Sequence, residues 1–173
     1  MKAFNVVVIA SLMLSFSGAA EEKAVGFDYN YFDWGVGFSD FGVTGAYSAE
    51  VHHHLHGLVD FKSNFSSYID GKALLGFNAP VQDWSDLHGG FGYRYFSKGK
   101  QGGLTFDVGL RQWLGTQTEL DILLGATKLR SDNVYHGRAA VRFHTSSMFS
   151  LSTYFDYDDL NKSSVGLVVR FRL

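Results

Sequence analysis

From Ser163 to Leu173 the apolar residues Val165, Leu167, Val169, Phe171 and Leu173 alternate with Gly166, Arg170 and Arg172, and only Val168 breaks the polarity. A period of two with charge on one side is a strand with a single greasy face. The same pattern recurs along the chain. It predicts strands near Ala24–Phe32, Asp40–Ala49, His54–Phe65, Lys72–Ala79, Leu87–Phe96, Leu104–Trp113, Glu119–Lys128, Tyr135–His144, Phe149–Tyr157 and Ser163–Leu173. About ten residues is the length of a tilted strand crossing a bilayer. The apolar sets are one-sided: Val25, Phe27, Tyr29, Tyr31 in the first segment and Leu104, Phe106, Val108, Leu110 in the sixth, opposite Asp28, Asn30 and Thr105, Asp107, Arg111 respectively.

Alternation alone does not say which face is wet, because a soluble sandwich turns its apolar face inward and a membrane barrel turns it outward. Three features favour the barrel. Lys2, the apolar run Ala3–Phe16 and the small residues Ser17–Ala20 are ordered as a secretory signal peptide cleaved after Ala20. Aromatic residues gather toward strand ends: Tyr31, Trp34, Phe61, Tyr68, Tyr95 and Tyr157 for one interface, Tyr47, Trp84, Trp113, Phe143, Phe149 and Phe171 for the other. The polar face mixes charge with glycine, which suits a narrow wet lumen. The expected fold class is therefore all-β, an antiparallel up-and-down transmembrane β-barrel of about ten strands, with eight as the alternative. Residues 1–20 are the expected signal peptide and 21–173 the outer-membrane barrel domain.

Short turns are expected at one end near Glu50–His53, Pro80–Asp86, Leu114–Thr118 and Thr145–Met148. The other end carries Asp33–Ser39, Ser66–Gly71, Ser97–Gly103, Leu129–Val134 and Asp158–Lys162 as external loops, including an aromatic loop of Trp34, Val36 and Phe38. An even strand number returns both termini to the periplasm.

Composition narrows the function classes. The absence of cysteine removes disulfides, thiolate metal sites and a cysteine nucleophile together. Loss of Lys2 with the signal moves the net charge from -2 to -3, so no nucleic-acid partner is expected.

The segments Phe41–Ala49 and Leu87–Tyr95, the signal peptide and the C-terminal alternation resemble the small Gram-negative outer-membrane barrels of the OmpX, Ail and OmpA membrane-domain superfamily. The resemblance covers the whole chain after Ala20. Leu173 stands where that family ends in phenylalanine, and ten segments are read where the named relatives have eight strands. It implies a porin-like cell-envelope protein of the outer membrane. Its implied partners are outer-membrane lipids and lipopolysaccharide, with the barrel assembly machinery and periplasmic chaperones during biogenesis.

The histidines are the one cluster that hints at chemistry. His52, His53, His54 and His56 fall at a predicted turn, with His54 and His56 on one face, and His88 and His144 point inward near the same end. Imidazoles can hold zinc, copper or nickel, yet the spacing places no carboxylate with them, so the expectation is lumen-filling rings and no metal or cofactor. His144-Thr-Ser146 is similar to the histidine and serine pairing of outer-membrane lipid A deacylases. No acid is placed to orient His144, and the long catalytic extensions of protease-type barrels are missing, so the expectation is not an enzyme. Inward acids are expected at Asp28, Asp60, Asp107, Asp121 and Asp156. Inward bases are expected at Lys62, Arg94, Arg111, Arg138, Arg142, Arg170 and Arg172, a small excess that would favour anions. A turn centred near Thr116 places Arg111 opposite Asp121, within pairing distance. The expected function is a structural or envelope-maintenance role with a side-chain-filled polar lumen. A narrow channel for small solutes or ions is the first alternative, and a surface adhesion or interaction protein the second.

Overall fold

The computed structural model describes residues 27–173 apart from positions 40, 66, 67, 100, 131 and 161. The signal-peptide reading and the start of the first expected strand lie outside the described residues. Among the described residues ten strands form: β1 Tyr31–Gly37, β2 Gly42–His52, β3 Leu55–Ser63, β4 Ile69–Gln82, β5 Ser85–Phe96, β6 Gln101–Trp113, β7 Thr118–Lys128, β8 Asn133–His144, β9 Phe149–Asp158 and β10 Lys162–Arg172. Each pairs antiparallel with its sequence neighbour, and β1 pairs with β10, from Tyr31 opposite Arg172 to Gly37 opposite Gly166. The sheet is thereby a closed barrel with no free edge.

Closure gives the period-two pattern two surfaces. Phe106, Val108, Leu124, Leu151, Phe155 and Leu167 are exposed on the outside, while Thr105, Asp107, Thr127, Ser152 and Asp156 are buried inside. The chain's proline shows how the ladder tolerates an exception. Pro80 lies in β4 beside a register shift between Pro80 and Gln82, beyond the point where β3 stops pairing at Phe77, so one flank of the strand has no partner that needs its missing N–H.

The first strand departs from expectation in both position and face. It runs Tyr31–Gly37 rather than Ala24–Phe32. Tyr29 and Tyr31 are 4% and 5% exposed and point inward, and Phe32, Trp34 and Val36 take the outer parity opposite Phe171, Val169 and Leu167. Inward placement lets Asp33 meet Arg170, which an outward Tyr31 would forbid. Trp34 and Val36 are consequently wall residues, and the aromatic loop expected around them is reduced to Phe38 in a four-residue turn. Two aromatic positions assigned to interfaces are corrected for the same reason: Tyr31 and Trp113 are buried inside. Asp70 and Asp158, read as loop residues, belong to β4 and β9, and the Asp83–Trp84 turn is shorter than the expected Pro80–Asp86.

Candidate functional site

Each inward side chain is fixed by strand parity, so the lumen's chemistry follows from the register. At the end opposite the termini, Arg94 of β5 donates from Nε to Asp70 Oδ1 at 2.9 Å and from Nη2 to Asp70 Oδ2 and Asp158 Oδ2, each at 2.5 Å. Its guanidinium also lies 4.4 Å from the Phe96 ring centre. Lys62 of β3 reaches Asp156 of β9, which Arg138 grips in a fork at 2.7 and 3.1 Å. Lys72 of β4 donates to Asp107 at 2.6 Å and stands 3.5 Å from Asp60, and His136 Nε2 meets Asp107's other oxygen at 2.8 Å. Such charge-assisted contacts satisfy charges that would otherwise be costly to hold away from water.

Toward the termini end, Arg170 forks onto Asp33 at 2.7 and 2.8 Å and covers the Tyr31 ring at 3.3 Å. Arg142 donates to Glu119 at 2.6 Å. His144 bonds Glu119 through Nε2 at 3.1 Å and meets Arg172 through Nδ1 at 2.7 Å. Because the guanidinium only donates, Nδ1 accepts and the ring proton sits on Nε2. Arg111 and Asp121 are direct partners on β6 and β7, 3.4 Å apart, as the turn at Thr116 predicts, and His88 closes on Asp121 at 2.9 Å.

Among the described residues these groups leave a cavity of about 130 Å³ in the body of the lumen and another of about 50 Å³ beyond it toward the far end. The larger has room for on the order of ten waters. Lys62, Asp70, Arg94, Asp156 and Asp158 border both, so the far-end ion pairs form a septum between them. Seven carboxylates and seven bases line the larger cavity. The expected excess of bases is thus corrected: Asp33, Asp70 and Asp158 also face inward, and they offset it.

Of the histidines, His56, His88 and His136 line the larger cavity, whereas His52, His53 and His54 are exposed at the β2–β3 turn and His144 lies against Trp113, 4.7 Å between ring centres. Among the described residues no three of His, Asp and Glu gather in a way that would hold a metal ion. Asp28 precedes β1 and accepts from the Asn30 N–H at 2.8 Å. Lys72, Glu119, Asp86, Asp33, Asp70 and Asp158 are interior residues that sequence reasoning missed. Lys72 was within reach, since it opposes both Asp60 and Arg94; the aspartates were hidden by strand bounds drawn too short or misplaced.

No family model matches the chain, and no curated protein matches it. Among solved structures, the chain is similar to the KdgM porin in complex with disordered oligogalacturonate, with a TM-score of 0.53 at 10% identity over 83% of this chain and 99% of that one. It is similar also to the KdgM porin, with a TM-score of 0.51 at 12% identity and the same coverage. The fold is that of outer-membrane β-barrels.

Proposed function

We propose that the chain is an exported, non-enzymatic barrel of the outer membrane that serves the envelope as a closed transmembrane wall. The observation that carries this reading is the pair of ties across the lumen, Lys62 to Asp156 and Arg94 to Asp158, each joining strands four places apart around a ring of ten. A barrel of about eight strands is just filled by its own side chains, and two more widen it modestly. The outward band of aliphatic residues meets lipid. Tyr93, Tyr95, Tyr135 and Tyr157 near one rim, with Phe32, Tyr47, Phe143 and Phe171 toward the other, supply interfacial rings that face lipid headgroups and lipopolysaccharide.

Turn lengths set the orientation. The termini end has turns of two residues at 53–54 and 83–84 and of four at 114–117 and 145–148, against three to five residues at every connection of the far end. The shorter side is periplasmic, where assembly machinery and chaperones would receive the chain. The lumen histidines His88, His136 and His144 each rest a ring nitrogen on a carboxylate that an arginine or lysine also contacts, which in this reading makes them members of the wall's ion-pair network.

A second reading, a narrow path for small ions, is favoured by the two cavities in line behind one septum. The neutral lining gives no support to a polyanionic saccharide as cargo. Planar-bilayer recording with refolded protein separates the two: the closed wall shows no stable conductance steps, and steady openings at low voltage would replace it with the ion path.

A further inference from the structure

Residues 27–30, just ahead of β1, turn into the barrel mouth. Tyr29 is 4% exposed. Its hydroxyl donates to Asp86 Oδ2 of β5 and its ring stacks on His56 of β3, 4.4 Å between centres with planes 27° apart. The Arg111 guanidinium of β6 lies 4.8 Å from the ring centre. Three strands thus offer one ring a carboxylate acceptor, a flat aromatic face and a cation, which together describe a phenol rather than a benzene. Among the described residues, Asp86 Oδ1 and His56 Nδ1 are buried with no hydrogen-bond partner.

The segment is held at both sides of this ring. Phe27 rests 5.8 Å from the Trp113 ring, Asn30 Oδ1 accepts from the Glu50 N–H at 2.7 Å, and the Asn30 carbonyl accepts from the Leu173 N–H at 3.1 Å. His56 and Arg111, on which Tyr29 sits, are themselves walls of the larger cavity. Tyr29 therefore lies behind two walls of that cavity at the termini end, as the septum lies across its other end.

We propose that Asp86, His56 and Arg111 form a phenol-binding seat at the termini end of the lumen, that Tyr29 fills it as a built-in stopper, and that a small phenol takes the seat when the Tyr29 side chain is removed. The stopper role rests on the closed-lumen reading; the seat itself does not.

The test uses the barrel refolded in detergent micelles, with 4-methylphenol, the tyrosine side chain in isolation, as probe. Tyr29→Gly should gain a saturable rise of several degrees in unfolding temperature with 4-methylphenol, and toluene, which lacks the hydroxyl, should give a smaller one. The wild type, its seat filled, and the Tyr29→Gly/Asp86→Ala double variant should show no rise. An equal rise in wild type, no rise at saturating probe in folded Tyr29→Gly, or equal effects of toluene and 4-methylphenol would overturn the seat. If Tyr29→Gly does not fold, Tyr29→Phe decides: it should lower the unfolding temperature with Asp86 present and leave it unchanged in an Asp86→Ala background, and equal losses in both backgrounds overturn the proposal. Steady conductance of the wild type would remove the closed lumen and the stopper role while leaving the binding result to decide the seat.

Discussion

Arg111 and Asp121 sit five positions either side of Thr116, and the folded barrel makes them register partners with a wider circle of contacts than the turn alone implies. Asp121 also holds His88, and Arg111 also faces Glu119 at 3.9 Å and Tyr29. Asp121→Ala leaves both Arg111 and His88 short of a carboxylate inside the wall. Breaking a buried pair by removing one partner costs about 3 kcal/mol or more, and an effect of that size is expected in urea titrations of the folded barrel. Adding Arg111→Ala to Asp121→Ala should cost less than the two single losses summed, because the second truncation removes a charge the first had stranded. Additive losses would refute the coupling. Tyr29, by contrast, was legible only as an apolar residue of the wrong face. A tyrosine carries both a ring and a donor, so alternation scores it as greasy while its hydroxyl needs an acceptor that only the folded neighbour strands provide.

At the scale of the strand, the period of two located nine of the ten elements and erred at β1. There Val25, Phe27, Tyr29 and Tyr31 form as clean an apolar alternation as Phe32, Trp34 and Val36, and nothing local chooses between them. The choice is made by pairing, since Asp33 is drawn inward to Arg170 on β10, a partner more than a hundred residues away in sequence. Face assignments elsewhere lead to a direct check. Spin labels at Phe106, Val108, Leu151 and Val169 should report lipid, and labels at Asp107, Arg111 and Arg170 should report water or burial; reversal at any one strand would shift its register by a residue. Close approach of neighbouring strands gives a second check. A Cβ on Gly92 would stand 2.0 Å from the Ala73 carbonyl oxygen across the β4–β5 ladder, whereas one on Gly57 meets nothing within 4 Å. Gly92→Ala should therefore sharply reduce the fraction that refolds to the heat-modifiable gel form. Gly57→Ala should refold as wild type, with a gain of about 0.5 kcal/mol from a stiffer unfolded chain.

Over the whole molecule, the proposed wall closes the lumen twice in series, by the Lys62 and Arg94 septum at the far end and by Tyr29 at the termini end. Two closures in series make conduction non-additive in the mutations that relieve them. Lys62→Ala with Arg94→Ala opens the septum but leaves the cavity stopped behind it, and Tyr29→Gly opens the cavity but leaves the septum. Each should stay silent in a planar bilayer, and the triple variant should show resolvable steps. Its selectivity has a definite sign. Removing two bases from the septum leaves Asp70, Asp156 and Asp158 around the opening with Arg138 the base still on Asp156, and a ring of unbalanced carboxylates favours cations. The reversal potential in a salt gradient should therefore move toward the cation equilibrium value. Anion selectivity would mean that charges outside the septum control the path. Conduction by Tyr29→Gly alone would mean that the cross-lumen ties do not seal, and conduction by the septum variant alone would mean that Tyr29 is not a stopper. Each of the three recordings thus tests a different layer of the same wall.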